Sequence, residues 1–217
     1  MAHPPYNPLD KQNLGASLAK ALLERSVGPL PPAAAFSGAG IYALYYEGDA
    51  ELYKPITALN RGGKYRQPIY VGKAVPPGAR KGGFGLGLAP GNVLYKRLAE
   101  HAGTIEEARG LNPAHFACRY LIADDIWIPL GEALMIEQFK PIWNVVIDGF
   151  GNHDPGAGRR QQQRSAWDVL HPGRPWANRL QPNSRTEREL KTLVRDFLAG
   201  RSVPLIPTAE AVKSTDE

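Results

Sequence analysis

The chain has 217 residues, 43% of them apolar and 22% charged, which is enough apolar content for a packed core and too little charge for wholesale disorder. Lysine and arginine outnumber aspartate and glutamate by 26 to 21, a formal charge of +5 that favours a polyanionic partner, nucleic acid first among them. Cys118 is the only cysteine, so an intrachain disulfide and a cysteine-built zinc site are excluded; with no leader-like start at Met1 and no long apolar run, the expectation is a single soluble, cytoplasmic domain over 1–217.

In chain order, residues 16–27 place Leu18, Ala19, Ala21 and Leu22 at helical spacing and predict a short peripheral helix. Gly40–Tyr46 and residues 68–73 are rich in aromatic and branched side chains and predict neighbouring antiparallel strands. The stretch 76–92 is dense in glycine and proline and is excluded from regular structure. Asn92 offers an N-cap for a helix reaching His101, and residues 115–122 alternate as a third strand. Residues 131–139 form a compact apolar helix stopped by Pro141, which lacks a backbone donor. After a turn-rich segment at 148–158, a last helix is predicted near Ser184, with Ser184 and Glu187 as capping box and Leu190, Leu193, Val194 and Phe197 on one face. Residues 202–217 read as a disordered tail, and no internal repeat is present.

Polar residues attach to these elements in a set order. Gly40-Ile41-Tyr42 lies in the first strand and Tyr70-Val71-Gly72 in the second; Arg97 and His101 are four apart on one helical face; Glu132 precedes Asn144 by twelve residues, with Lys140-Pro141 between. The pattern resembles the GIY-YIG nuclease superfamily over roughly residues 38–146. The resemblance implies an α/β (α+β) fold: a small three-stranded antiparallel sheet flanked by helices, with helical extensions at both ends. Tyr42 and Tyr70 are 28 apart, and Tyr70 and Arg97 are 27 apart, longer than the family's usual intervals, so inserted loops are expected at about 47–67 and 74–92. Residues 60–97 carry Arg61, Lys64, Arg66, Lys73, Arg80, Lys81, Lys96 and Arg97 with no acidic residue, an asymmetry that points to phosphate binding by those loops.

A compact chain with basic loops embedded in its catalytic module resembles the restriction branch of the superfamily. The segments 148–159 and 167–174 are similar to restriction enzymes of this type that recognise CCGCGG. What this implies is a bacterial, Mg²⁺-dependent Type II endonuclease cutting double-stranded DNA, with one ion per site, Mn²⁺ as a substitute, a homodimer on a palindromic target and a cognate DNA methyltransferase as genetic partner. A structure-specific repair nuclease and a non-catalytic DNA-binding module are the alternatives.

The same resemblance assigns roles. Glu132 is the metal ligand, since it is the only carboxylate in the pattern. Tyr42 is the base for water with His101 assisting, or the reverse. Free tyrosine titrates near 10, so ionising it at pH 7 costs about 4 kcal/mol without help from Lys73, Arg97 or the ion. Tyr70 orients water or phosphate, Arg97 stabilises charge at phosphorus, and Asn144 fixes the geometry. Arg159, Arg160, Gln162 and Arg164, in the run 159–164, have the chemistry to read base edges, although a solvated linker would look the same. Strand tyrosines are more often packing residues, an Arg/His pair at i,i+4 more often surface decoration, and Trp127, Trp143, Trp167 and Trp176 are expected in the core. Glu189-Leu190-Lys191, Asn152-His153 and the glycines at 83, 85 and 87 evoke other enzyme motifs but lack the partners those motifs need.

Overall fold

The computed structural model describes residues 7–76 and 89–206. Among them, seven helices and one open antiparallel sheet form an α+β fold. The expected strands are present as β2 (Gly40–Tyr46), β3 (Tyr70–Ala74) and β4 (Phe116–Ile122), with β2 central and β3 at an edge. A fourth strand corrects the three-stranded expectation: β1 (Gly28–Pro29) pairs with Ala117 and Cys118 of β4. Two residues leave no alternation to detect, and proline is tolerated there because β1 is the other edge.

All seven residues of β2 are buried, because helices cover both faces of the sheet. Tyr42, Leu44 and Tyr46 join one apolar cluster and Ile41, Ala43 and Tyr45 the other, as the two-residue period of a strand requires. The second cluster is closed by α1 (Lys11–Leu23) and α4 (Ile128–Phe139), through residues such as Leu22 and Met135. The first is larger. It draws on α2 (Lys54–Asn60), α3 (Val93–Glu107), α5 (Ile142–Val145), α6 (Ala166–Leu170) and α7 (Glu187–Leu198).

Several bounds differ from expectation for local reasons. Helix α1 begins at Lys11 because the Asp10 side chain accepts from the Gln12 amide. Helix α3 runs on to Glu107, and its N-cap Asn92 makes no side-chain cap bond. Helix α4 begins at Ile128, so Glu132 sits in its second turn and does not open it. The last helix starts at Glu187: its capping box is Thr186 with Glu189, because Asn183 binds Arg164 O and the Arg185 amide and keeps residues 183–185 out of the helix. The interval 47–67 is not an open loop. It folds into a 3₁₀ turn (Glu51–Tyr53) and α2, burying Tyr53, Ile56 and Asn60 and leaving its tip exposed. Residues 202–206 return to the body, where the Ile206 amide donates to Val145 O at 2.8 Å. The greater part of the 74–92 loop, with Arg80, Lys81 and the glycines at 83, 85 and 87, and the tail from 207 onward lie outside the described residues. No helix among the described residues is long and apolar enough to cross a membrane.

Candidate active site

The antiparallel register sets Tyr42 of β2 directly opposite Gly72 of β3, and Leu44 opposite Tyr70. A Cβ at position 72 would collide with the Tyr42 hydroxyl, so the glycine is what lets that ring lie across the edge strand. The hydroxyl then meets His101 of α3, with Tyr42 Oη and His101 Nε2 2.6 Å apart and both residues buried. The Tyr70 ring stands edge-on to His101 at 5.4 Å between centroids. Arg97, one helical turn before His101, donates through Nη2 to Gly151 O at 2.8 Å; its Nη1 lies 2.6 Å from His153 Nε2 and donates to Glu100 at 3.1 Å.

On the other face of β3, Lys73 reaches across to α4 and forms an ion pair with Glu132. Both retain solvent access, with side chains 39% and 19% exposed, so the pair can open to a ligand. Strand β3 is held by Asn144, whose amide accepts from the Val71 N–H and donates to the Val71 carbonyl, each at 2.8 Å. The seven residues singled out from the motif therefore come from two neighbouring strands, β2 and β3, and from the three helices α3, α4 and α5.

The electrostatics define the resting protonation state. Burial, then Tyr70 and Glu132, hold the Tyr42 hydroxyl well above the ordinary tyrosine value of 10, against the pull of Arg97. Burial, then the neighbouring side chains Arg97, His153 and Arg174, hold His101 well below 6.5. Both groups are neutral at pH 7, so a single proton lies between Tyr42 Oη and His101 Nε2; when the histidine proton sits on Nδ1, the Tyr42 O–H donates to Nε2. The charges of Glu132 and Arg97 both bear on Tyr42 and Tyr70, and that of Arg97 bears on His101 as well.

Among the basic candidates, Lys64, Arg66, Lys96, Arg159 and Arg160 are exposed, and Arg61 is engaged with Asp49 and the Glu47 carbonyl. The run at 159–164 is not a free linker: Gln181 donates its amide to Gln162 O and accepts at its carbonyl from Arg164 N, and Arg164 Nε donates to Ala177 O. With His153 and Trp176, Arg159 and Gln162 line a cleft of about 310 Å³ next to Arg97. Trp143 and Trp167 are in the core as expected, but Trp127 and Trp176 are only half buried.

Phe150, Gly151 and His153 escaped the sequence reading. Their segment read as turn-rich and as similar to CCGCGG-recognising restriction enzymes, but none of the three was given a role in the site; an aromatic residue flanked by glycines was the signal left unused. Phe150 is buried and stacks on the His101 ring at 4.5 Å and 15°.

A family model of the Eco29kI GIY-YIG domain matches residues 34–198, well over half of the chain. No curated protein matches the sequence. The matched span includes the strand pair, the Tyr42–His101 contact, Glu132, Asn144 and the turn carrying Phe150. The chain belongs to the Eco29kI-type GIY-YIG family, and it is a restriction-type nuclease whose substrate is DNA.

Proposed function

We propose that this protein is a Mg²⁺-dependent Type II restriction endonuclease that hydrolyses both strands of a short palindromic, GC-rich site of the CCGCGG kind. Tyr42 is the base. It takes a proton from the attacking water as its own O–H proton passes to His101 Nε2, and the oxygen so freed bonds to phosphorus while the 3′ oxygen leaves and is protonated by solvent. The observation that carries this reading is the 2.6 Å contact between two neutral buried groups, with Arg97 and Glu132 close enough to bias the tyrosine. A phosphate drawn to Arg97 offsets the cation that depresses His101 and so eases the transfer.

Glu132 is the ligand for the ion. One carboxylate suits Mg²⁺, which keeps several waters and takes its remaining oxygens from phosphate; no cluster of three His, Cys, Asp or Glu side chains exists among the described residues to make a closed cage. When bound, the ion supplies Lewis-acid polarisation of the phosphate and charge neutralisation at the leaving oxygen, and Mn²⁺ substitutes. Lys73, freed from Glu132, adds a cation near the phosphate. Tyr70 orients the water and Arg97 the phosphate. Arg159 and Gln162 read base edges from the cleft beside Arg97, and Arg160 and Arg164 from the same run of chain; Arg61, Lys64, Arg66, Arg80, Lys81 and Lys96 hold the backbone. Two-fold symmetry of the target calls for a homodimer on DNA, and a methyltransferase of matching specificity protects the host.

Digestion of plasmid DNA with Mg²⁺ tests the reading. Discrete fragments are expected; a smear, or cutting confined to branched substrates, would replace sequence recognition with repair. Glu132→Ala should lower the single-turnover rate about 10³-fold while DNA affinity without metal changes by less than about threefold. Retained cutting sinks the metal assignment.

A further inference from the structure

Arg174 is 1% exposed, and nothing in the chemistry above uses it. Its guanidinium is held at four points. Nε donates to Asp168 Oδ1 at 2.7 Å, Nη2 to Gly149 O at 2.9 Å, and Nη1 to Asn152 O at 3.0 Å and Phe150 O at 3.3 Å. It also lies against the rings of Trp167 and Trp176, at 4.7 and 4.5 Å from their centroids. Asp168, likewise 1% exposed, uses its other oxygen to accept from the Ser165 hydroxyl at 2.6 Å.

A buried ion pair is weak as a source of stability, since apolar side chains of the same volume would serve as well or better. The shape of the fork is what an apolar residue cannot copy, and here it matches three backbone carbonyls of a single turn. That turn, 149–152, has two sides. The carbonyls of Gly149, Phe150 and Asn152 face Arg174, and that of Gly151 faces Arg97. Phe150 lies flat on the His101 ring. A Cβ on Gly151 would press on Tyr70 Oη at 2.8 Å and Arg97 Nη2 at 3.0 Å, so the turn touches three members of the site at van der Waals range.

We infer that Arg174, charge-balanced by Asp168, is a positioning residue for the hydrolytic site: it fixes the 149–152 turn so that Phe150 sets the plane of the His101 ring and Gly151 sets the Arg97 fork. The inference rests on the roles proposed above for His101 and Arg97. Arg174 does not touch the reacting atoms. It acts through the turn, and the energetic lever is precision, because a shift on the order of 1 Å in a catalytic group can lower a rate about 10²-fold. The ionisable groups facing His101 are Tyr42 from β2, Tyr70 from β3, Arg97 from α3, and His153 and Arg174 from the C-terminal segment. Lysine at 174 keeps the charge but loses the fork, so the turn slackens, Phe150 leaves the ring and water reaches it.

Two variants, Arg174→Lys and Trp176→Leu, are compared with the parent chain in three measurements. These are the single-turnover cleavage rate against pH, the DNA Kd, and the pH titration of the His101 ring by NMR without DNA or metal. For Arg174→Lys the rate is expected to fall about 10-fold or more with Kd within about threefold. The acid limb of the rate profile should move up in pH, and the His101 titration should move toward 6.5. Trp176→Leu, which removes one stacked ring and leaves the ion pair, should shift both in the same direction by less.

A folded Arg174→Lys protein that is less stable yet keeps the parental rate, acid limb and His101 titration overturns the inference. If Arg174→Lys does not fold, Trp176→Leu decides, and parental values there overturn it. Failure of the parent chain to cut DNA would refute the nuclease mechanism instead, and the His101 titration would still decide the positioning role.

Discussion

Asn144 does for Val71 what a neighbouring strand does elsewhere. Strand β3 is an edge, so its outward N–H and C=O groups would otherwise be unpaired, and the Asn144 amide satisfies both at 2.8 Å. Because Tyr70 precedes that residue and Lys73 lies two positions after it, the contact sets catalytic geometry as well as strand pairing. Asn144→Ala leaves two backbone groups without partners and should destabilise the fold by about 2 kcal/mol, read as a lower urea midpoint. Cleavage by the folded fraction should fall too, and an unchanged midpoint would count against the role. The residues nameable from the motif (Tyr42, Tyr70, Lys73, Arg97, His101, Glu132, Asn144) are those whose chemistry depends on fixed spacing along an element. Phe150, Gly151, His153 and Arg174 lie in segments the resemblance singled out, yet their roles were not legible, since they reach the site through tertiary contacts of turns that carry no period.

At the scale of elements, strands read well and helix ends read poorly. Strand β2 has the expected bounds because its run of aromatic and branched residues starts at Gly40 and stops at a polar turn. The start of α7 was placed two residues early, at Ser184 with Glu187, although Thr186 with Glu189 fits the same pattern, and the tertiary bond from Asn183 to Arg164 O favours the later one. The 47–67 interval misled for a related reason: its basic tip dominates the sequence, while Tyr53 and Ile56, spaced as a buried helical face, were passed over. Helix α4 closes on Lys140 in the left-handed conformation, φ 43°, a position that favours glycine. The chain then turns through Pro141 into α5 and Asn144. Lys140→Gly removes the Cβ penalty and should stabilise the protein by about 1 kcal/mol, seen as a rise in Tm without loss of cleavage. A lower Tm would mean that unfolded-state entropy outweighs the strain.

The whole molecule is tied together by buried histidines kept neutral. His171, at the end of α6, has its Nε2 2.6 Å from the hydroxyl of Tyr53, which in turn accepts from Trp143 Nε1 at 3.0 Å, so one chain of hydrogen bonds joins the 47–67 insertion, α5 and the C-terminal segment. Burial, with a smaller contribution from Lys191, pulls His171 down to about 3, and His101 is likewise held well below 6.5. For both groups the folded pKa lies below the unfolded value near 6.5, so the unfolded chain binds protons first as the pH drops. Their stabilising effect is therefore complete above pH 6.5 and is lost on acidification through the interval down to about 3 for His171. His171 costs on the order of 2 kcal/mol of stability between pH 6.5 and 5, before ordinary carboxylates begin to titrate, and His101 adds a loss in the same direction. Urea unfolding at the two pH values measures this directly, and His171→Gln should remove the His171 share of the difference, on the order of 2 kcal/mol. A parent chain whose unfolding free energy changes by less than about 1 kcal/mol would show that these rings take up protons in the folded state much as they do in the unfolded chain.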